Sequence, residues 1–153
     1  MLFFVLLLGV IRTEGMVYKR QLIADRKLIR KLELDFELLE SNETDLTKIY
    51  LDKETNSQWF RFNVDTEYYG GNPIFGKLPL PDIGSLIEIA INSEFEDEIF
   101  AACKILTEKE KDESIEFRRK LINKLSEEKD KQKQAKIVYW TALNSTFGKK
   151  PTD

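Results

Sequence analysis

The chain has 153 residues, 24 basic and 27 acidic, for a formal net charge of −3. That length suits one domain with a real core, and the acidic balance argues against a nucleic-acid binder that works by bulk charge. Histidine is absent and Cys103 is the only cysteine. The usual general base and triad base, cysteine zinc sites and any intrachain disulfide are therefore excluded. No cofactor and no metal are expected from this inventory.

The first stretch, Leu2 to Ile11, is apolar and ends at Arg12. It is shorter than the ~20 residues a membrane-spanning helix needs, and no Lys or Arg precedes it as a signal peptide requires. Three readings follow. Met16 is the true start and residues 1–15 are a mis-assigned extension; or they are an apolar leader or anchor; or they form a buried terminal strand. The first gives a cytoplasmic protein with one domain over 16–150 and a tail at 151–153. The second gives an exported or membrane-associated one.

Val17 to Arg30 places Leu22, Ile23, Leu28 and Ile29 among basic residues, and a short basic helix is expected. Leu32 to Leu38 alternates Leu32, Leu34, Phe36, Leu38 against Glu33, Asp35, Glu37, which predicts a half-buried strand. After a turn at Ser41–Asp45, Leu46 to Leu51 reads as a second strand. Trp59 to Val64 reads as a third, with Phe60, Phe62 and Val64 on one face and Trp59 on the other. Short connections imply an antiparallel meander. Trp59 either anchors a partner from an exposed sheet face or packs under the N-terminal helix.

Asp65 to Leu80 lacks periodicity and is expected to be an irregular loop, with Tyr68, Tyr69 and Phe75 as recognition candidates. Within it, Gly71 to Lys77 matches the first seven positions of a phosphate-binding loop. Leu78 then stands where a hydroxyl should hold magnesium, and Pro79 and Pro81 oppose a helix there, so the match is chance.

The helical half is clearer. Ile83, Leu86, Ile87, Ala90 and Ile91 form one face behind a capping Asp82. Ile99, Ala102, Cys103 and Leu106 form the next, with Ser93 and Glu96 as a capping box. A third helix is expected over Asp112 to Lys124, with Ile115, Phe117, Leu121 and Ile122 inward. A last one carries Ala135, Val138, Tyr139, Ala142 and Leu143 inward and stops at Gly148. The fold class is thus α+β: a basic helix, a three-stranded antiparallel meander, an aromatic loop and about four helices packed in pairs.

Glu94, Glu96, Asp97 and Glu98 crowd the start of the second central helix. The helix macrodipole accounts for them; a negative patch that docks a basic partner is the functional alternative. In size, charge and layout the profile resembles bacterial immunity proteins of polymorphic toxin systems. That resemblance implies a non-catalytic domain that neutralises a partner protein by carboxylate steering and burial of an aromatic anchor. The expected contact residues are Trp59, Tyr68, Tyr69, Asp97 and Glu98. The alternatives are a hydrolase working through two carboxylates from Asp35, Glu37, Glu67 and Asp97, or an exported or membrane-tethered structural protein resting on residues 1–11. No nucleic acid is expected as a partner.

Overall fold

The computed structural model describes residues 19–67, 70–113 and 117–143. Leu22 and Ile23 form the first strand, β1 (Leu22–Ile23). Adjacent side chains on a strand point to opposite faces. Leu22 accordingly enters one core cluster and Ile23 another.

The chain then turns into helix α1 (Arg26–Asp35), capped by Asp25, whose carboxylate accepts from the backbone N–H groups of Lys27 and Leu28. The helix corrects two expectations. Over the described part of the expected basic helix Val17–Arg30, residues 19–30, the chain forms β1 and then α1; Val17 and Tyr18 lie outside the described residues, and the strand expected over Leu32–Leu38 begins only after α1 ends. Leu28, Ile29, Leu32 and Phe36 recur at one and four residues, which is also helical spacing. They pack together, while Leu34 is 87% exposed. The apparent alternation is the overlap of a helical stripe with one outward leucine. Asp25, three residues ahead of Leu28, caps the helix and is the sequence feature that separates the two periods.

Four strands follow as a meander: β2 (Glu37–Asn42), β3 (Thr47–Asp52), β4 (Ser57–Val64) and β5 (Asn72–Lys77). With β1 they build a five-stranded antiparallel sheet in the order β1-β5-β4-β3-β2, in place of three strands. The expected irregular loop contains β5. Pro73, Gly71 and Gly76 hide it from a periodicity reading, because proline and glycine ordinarily mark loops. Gly71 is needed where it stands. Its φ is +80°, and a Cβ there would lie 2.3 Å from the Val64 carbonyl oxygen. Since Gly71 to Lys77 leads into and forms a strand, it presents no helix N-terminus to a phosphate.

Both tight hairpins use the same device. Asn42 Oδ1 accepts from the N–H groups of Thr44 and Asp45, and Asp52 Oδ1 accepts from that of Glu54. Each loop closes on a left-handed residue, Leu46 and Asn56, both with φ of 58°. Asparagine tolerates that conformation; leucine is strained in it.

Four helices cover the other sheet face: α2 (Ile83–Asn92), α3 (Glu96–Glu113), α4 (Arg118–Leu125) and α5 (Lys131–Trp140). Asp82 caps α2 by accepting from Ser85 N–H at 2.8 Å. The third helix starts later than expected, and Ile115 lies outside the described residues. On α5 the buried residue is Ile137, and Tyr139 is 74% exposed rather than inward. Trp140 meets Phe100 of α3 edge-on at 5.4 Å. Arg118 joins three helices, binding Glu110 with two nitrogens and the Thr141 carbonyl with the third.

The fold is therefore α+β, with a helix on one sheet face and four on the other. The larger core joins Leu22, Val64 and Ile74 to α2–α5; the smaller packs Ile23, Tyr50, Trp59 and Phe75 under α1. Leu32 and Leu34 separate the helical reading from the strand reading. Leu32→Ala is expected to cost about 2–5 kcal/mol of stability as a core truncation, and Leu34→Ala less than about 0.5. Equal losses in urea unfolding would restore the strand.

Candidate functional site

Asp97 and Glu98 are drawn inward by the start of α3. Asp97 Oδ1 pairs with Arg20, and its Oδ2 accepts from the N–H groups of Ala24 (2.9 Å) and Asp25 (3.0 Å). Glu98 Oε2 accepts from Gln21 N–H (2.8 Å) and Leu22 N–H (2.9 Å), and its Oε1 from the Ser93 hydroxyl (2.7 Å). Glu98 is 5% exposed and Arg20 3%. The Arg20 guanidinium lies over the Phe95 ring at 4.4 Å. Burial presses the Arg20 pKa down from its ordinary value, while Glu98 and Asp25 hold it up.

Two carboxylates thus bind four backbone N–H groups along β1 and the turn that follows it. They close the sheet on that side. The expected capping box takes a different form: Ser93 Oγ accepts from Phe95 N–H and donates to Glu98, while Glu96 reaches Lys136 at 3.0 Å.

Trp59 is 1% exposed, between Phe36 and Phe75 at 6.4 Å each, so its ring sits in the smaller core beneath α1. Tyr68 and Tyr69 lie outside the described residues. The structure therefore does not bring Trp59, Asp97 and Glu98 to one surface.

Three of the four carboxylates considered for hydrolysis have a cation partner. Glu37 meets Lys53 at 3.6 Å, Glu67 meets Lys111 at 3.8 Å and Asp97 meets Arg20, while Asp35 ends α1. Among the described residues no group of three His, Cys, Asp or Glu side chains is placed to hold a metal ion. Burial pushes the Cys103 thiol up to about 12, so at neutral pH it is neutral and a poor nucleophile. No helix among the described residues is long and apolar enough to cross a membrane.

What the sheet does expose is its other end. All six residues of β2 are exposed, and no described strand lies beyond it. Of the six exposed large hydrophobic residues among those described, four fall between positions 34 and 46: Leu34, Leu38, Leu39 and Leu46. Residues 33–54 carry eight carboxylates against two lysines, a net −6. A concavity of about 610 Å³ opens here, with Glu40, Asn42, Glu43 and Lys48 around Ile49 and Phe60. The signal in the sequence is the run Glu37-Leu38-Leu39-Glu40 followed by Glu43 and Asp45, which the expected strand over Leu32–Leu38 and the turn at Ser41–Asp45 divide between two elements.

Comparison of the chain with family models, with curated proteins and with solved structures finds no match.

Glu98→Ala leaves two backbone N–H groups and a hydroxyl without their acceptor. It is expected to cost about 2–4 kcal/mol, and Glu98→Gln, which keeps one acceptor oxygen, roughly half of that. Urea unfolding checks both, and an unchanged midpoint for Glu98→Ala would contradict the sealing role. In the folded protein Cys103 is expected to resist a thiol-specific disulfide reagent at pH 8 and to react fully in denaturant.

Proposed function

We propose that the chain is a non-catalytic protein-binding domain of the immunity or inhibitor type, which neutralises a basic partner protein. The acidic end of the sheet is the docking surface. The observation that carries this reading is the coincidence of exposed leucines with carboxylates around β2. Leu38 and Leu39 stand exposed on β2 between Glu37 and Glu40, and exposed leucines flanked by one sign of charge suit an interaction surface. Glu40 and Glu43 make no ion pair among the described residues, although Lys48 lines the same concavity, so both remain open to a partner's lysines and arginines.

Leu46 adds weight to the reading. It combines a left-handed backbone (φ 58°) with 59% exposure. A leucine there is strained without gaining burial, which a contact outside the chain would offset.

Magnitudes limit what the leucines alone supply. Burying the exposed parts of Leu34, Leu38, Leu39 and Leu46 contributes about 4–7 kcal/mol, at roughly 1.5–3 kcal/mol per full side chain. Association itself costs about 4–15 kcal/mol. Charge pairing and hydrogen bonds must therefore provide the surplus.

The test is capture of a partner from source-cell lysate by the full chain, then titration of the identified protein. Glu40→Lys with Glu43→Lys is expected to weaken binding at least about tenfold without shifting the unfolding midpoint. Undiminished binding would move the site elsewhere. Leu46→Asn is expected to raise stability by about 1 kcal/mol by relieving the strain, and to weaken the same complex.

A further inference from the structure

The two edges of the sheet are treated in opposite ways. At β1, Asp97 and Glu98 occupy the N–H groups of Gln21, Leu22, Ala24 and Asp25. At β2, all six residues are exposed and no described strand pairs with the outer edge. In an antiparallel edge strand alternate residues direct both N–H and C=O outward, which is a template for another strand. We infer that β2 is a strand-addition site, taking an extended segment of the partner whose side chains alternate basic and apolar. This rests on the acidic end being the docking surface, and it names how the partner is held.

Charge decides the occupant. A second copy pairing edge to edge would set Glu37 and Glu40 of β2, with Glu43 and Asp45 of its hairpin, against the same four carboxylates of the other chain. Such pairing is opposed by repulsion. A strand bearing Lys or Arg on one face meets Glu40 and Glu43, while its apolar face extends the surface of Leu38 and Leu39. This is the familiar division of strand addition, with the main chain giving affinity and alternate side chains giving selectivity.

The bulge matters here. Pairing of β2 with β3 slips between Leu38 and Glu40, then runs regularly through Glu40, Ser41 and Asn42 opposite Ile49, Lys48 and Thr47. A bulge bends the strand and blocks long indiscriminate pairing. The regular segment Glu40–Asn42 fixes the register of an added strand, and only a partner that fits the bend continues toward Glu37.

The experiment uses the full chain and synthetic octapeptides alternating Lys and Val. Amide exchange of β2 is followed by NMR as peptide is added. The Lys–Val peptide is expected to slow exchange of the outward β2 amides at least about tenfold. N-methylation of one alternate set of its amides is expected to abolish this, and methylation of the other set to leave it intact, because only one set faces β2. A Glu–Val peptide is expected to have no effect.

Equal binding by both methylated peptides would overturn strand addition while leaving the acidic docking surface standing. Absence of any β2 protection at millimolar peptide would overturn it too, as would protection of the outward β2 amides in the chain alone. The docking surface itself is judged separately, by the charge reversal at Glu40 and Glu43 in the captured complex.

Discussion

The structure depends on two carboxylates that reach back across more than seventy residues. Asp97 and Glu98 hold the backbone from Gln21 to Asp25. β1 is only two residues long and has little stability of its own. Held in place, it puts Leu22 into the larger core and Ile23 into the smaller, so one short strand couples both faces of the sheet. It also fixes Asp25, which caps α1 over Trp59 and Phe75. Burying Glu98 and Arg20 is costly unless every polar group is satisfied. Glu98 meets that demand with three acceptor bonds and Arg20 in part through Asp97 and the Phe95 ring.

That arrangement leaves the molecule polarised. One edge of the sheet is sealed; the other carries exposed leucines in a field of carboxylates. The C-terminal helices carry the opposite charge, with eight basic against three acidic side chains over residues 117–143. Several of these cations are engaged locally, Arg118 with Glu110, Lys124 with Glu88 and Lys136 with Glu96. Charge separation of this kind would orient the proposed basic partner toward the acidic end before contact. Of the carboxylates, Asp97 and Glu98 are engaged in the fold, while Glu37, Glu40 and Glu43 lie along or beside the open edge.

Much of the fold was legible wherever one period dominated. The stripe from Ile83 to Ile91 behind Asp82 gave α2, and Phe60, Phe62 and Val64 against Trp59 gave β4 with its two faces. The failures share a physical cause. Between Leu28 and Leu38 two periods overlap, and the cap at Asp25 had to arbitrate. β1 is too short to show a period at all. β5 contains two residues that ordinarily interrupt strands, Pro73 and Gly76; Pro73 is tolerated because β1 pairs only with Phe75 and Gly76, so no strand on that side needs its missing N–H. For Asp97 and Glu98 the sequence offers two local accounts, the helix dipole and a surface patch, and neither is their role in the fold. Their true partners are distant in sequence, and no local pattern encodes that. The leucines and carboxylates of β2 were visible, but only the sheet order makes β2 an edge.

The measurement that tests this account most directly is native-state amide exchange of the chain alone, resolved by residue. The account predicts that the amides of Leu22, Ala24 and Asp25 are protected like those of β4, although they lie at a sheet margin, and that the outward amides of β2 exchange nearly as freely as the hairpin loops. Fast exchange at Leu22, Ala24 and Asp25 together with slow exchange throughout β2 would contradict it.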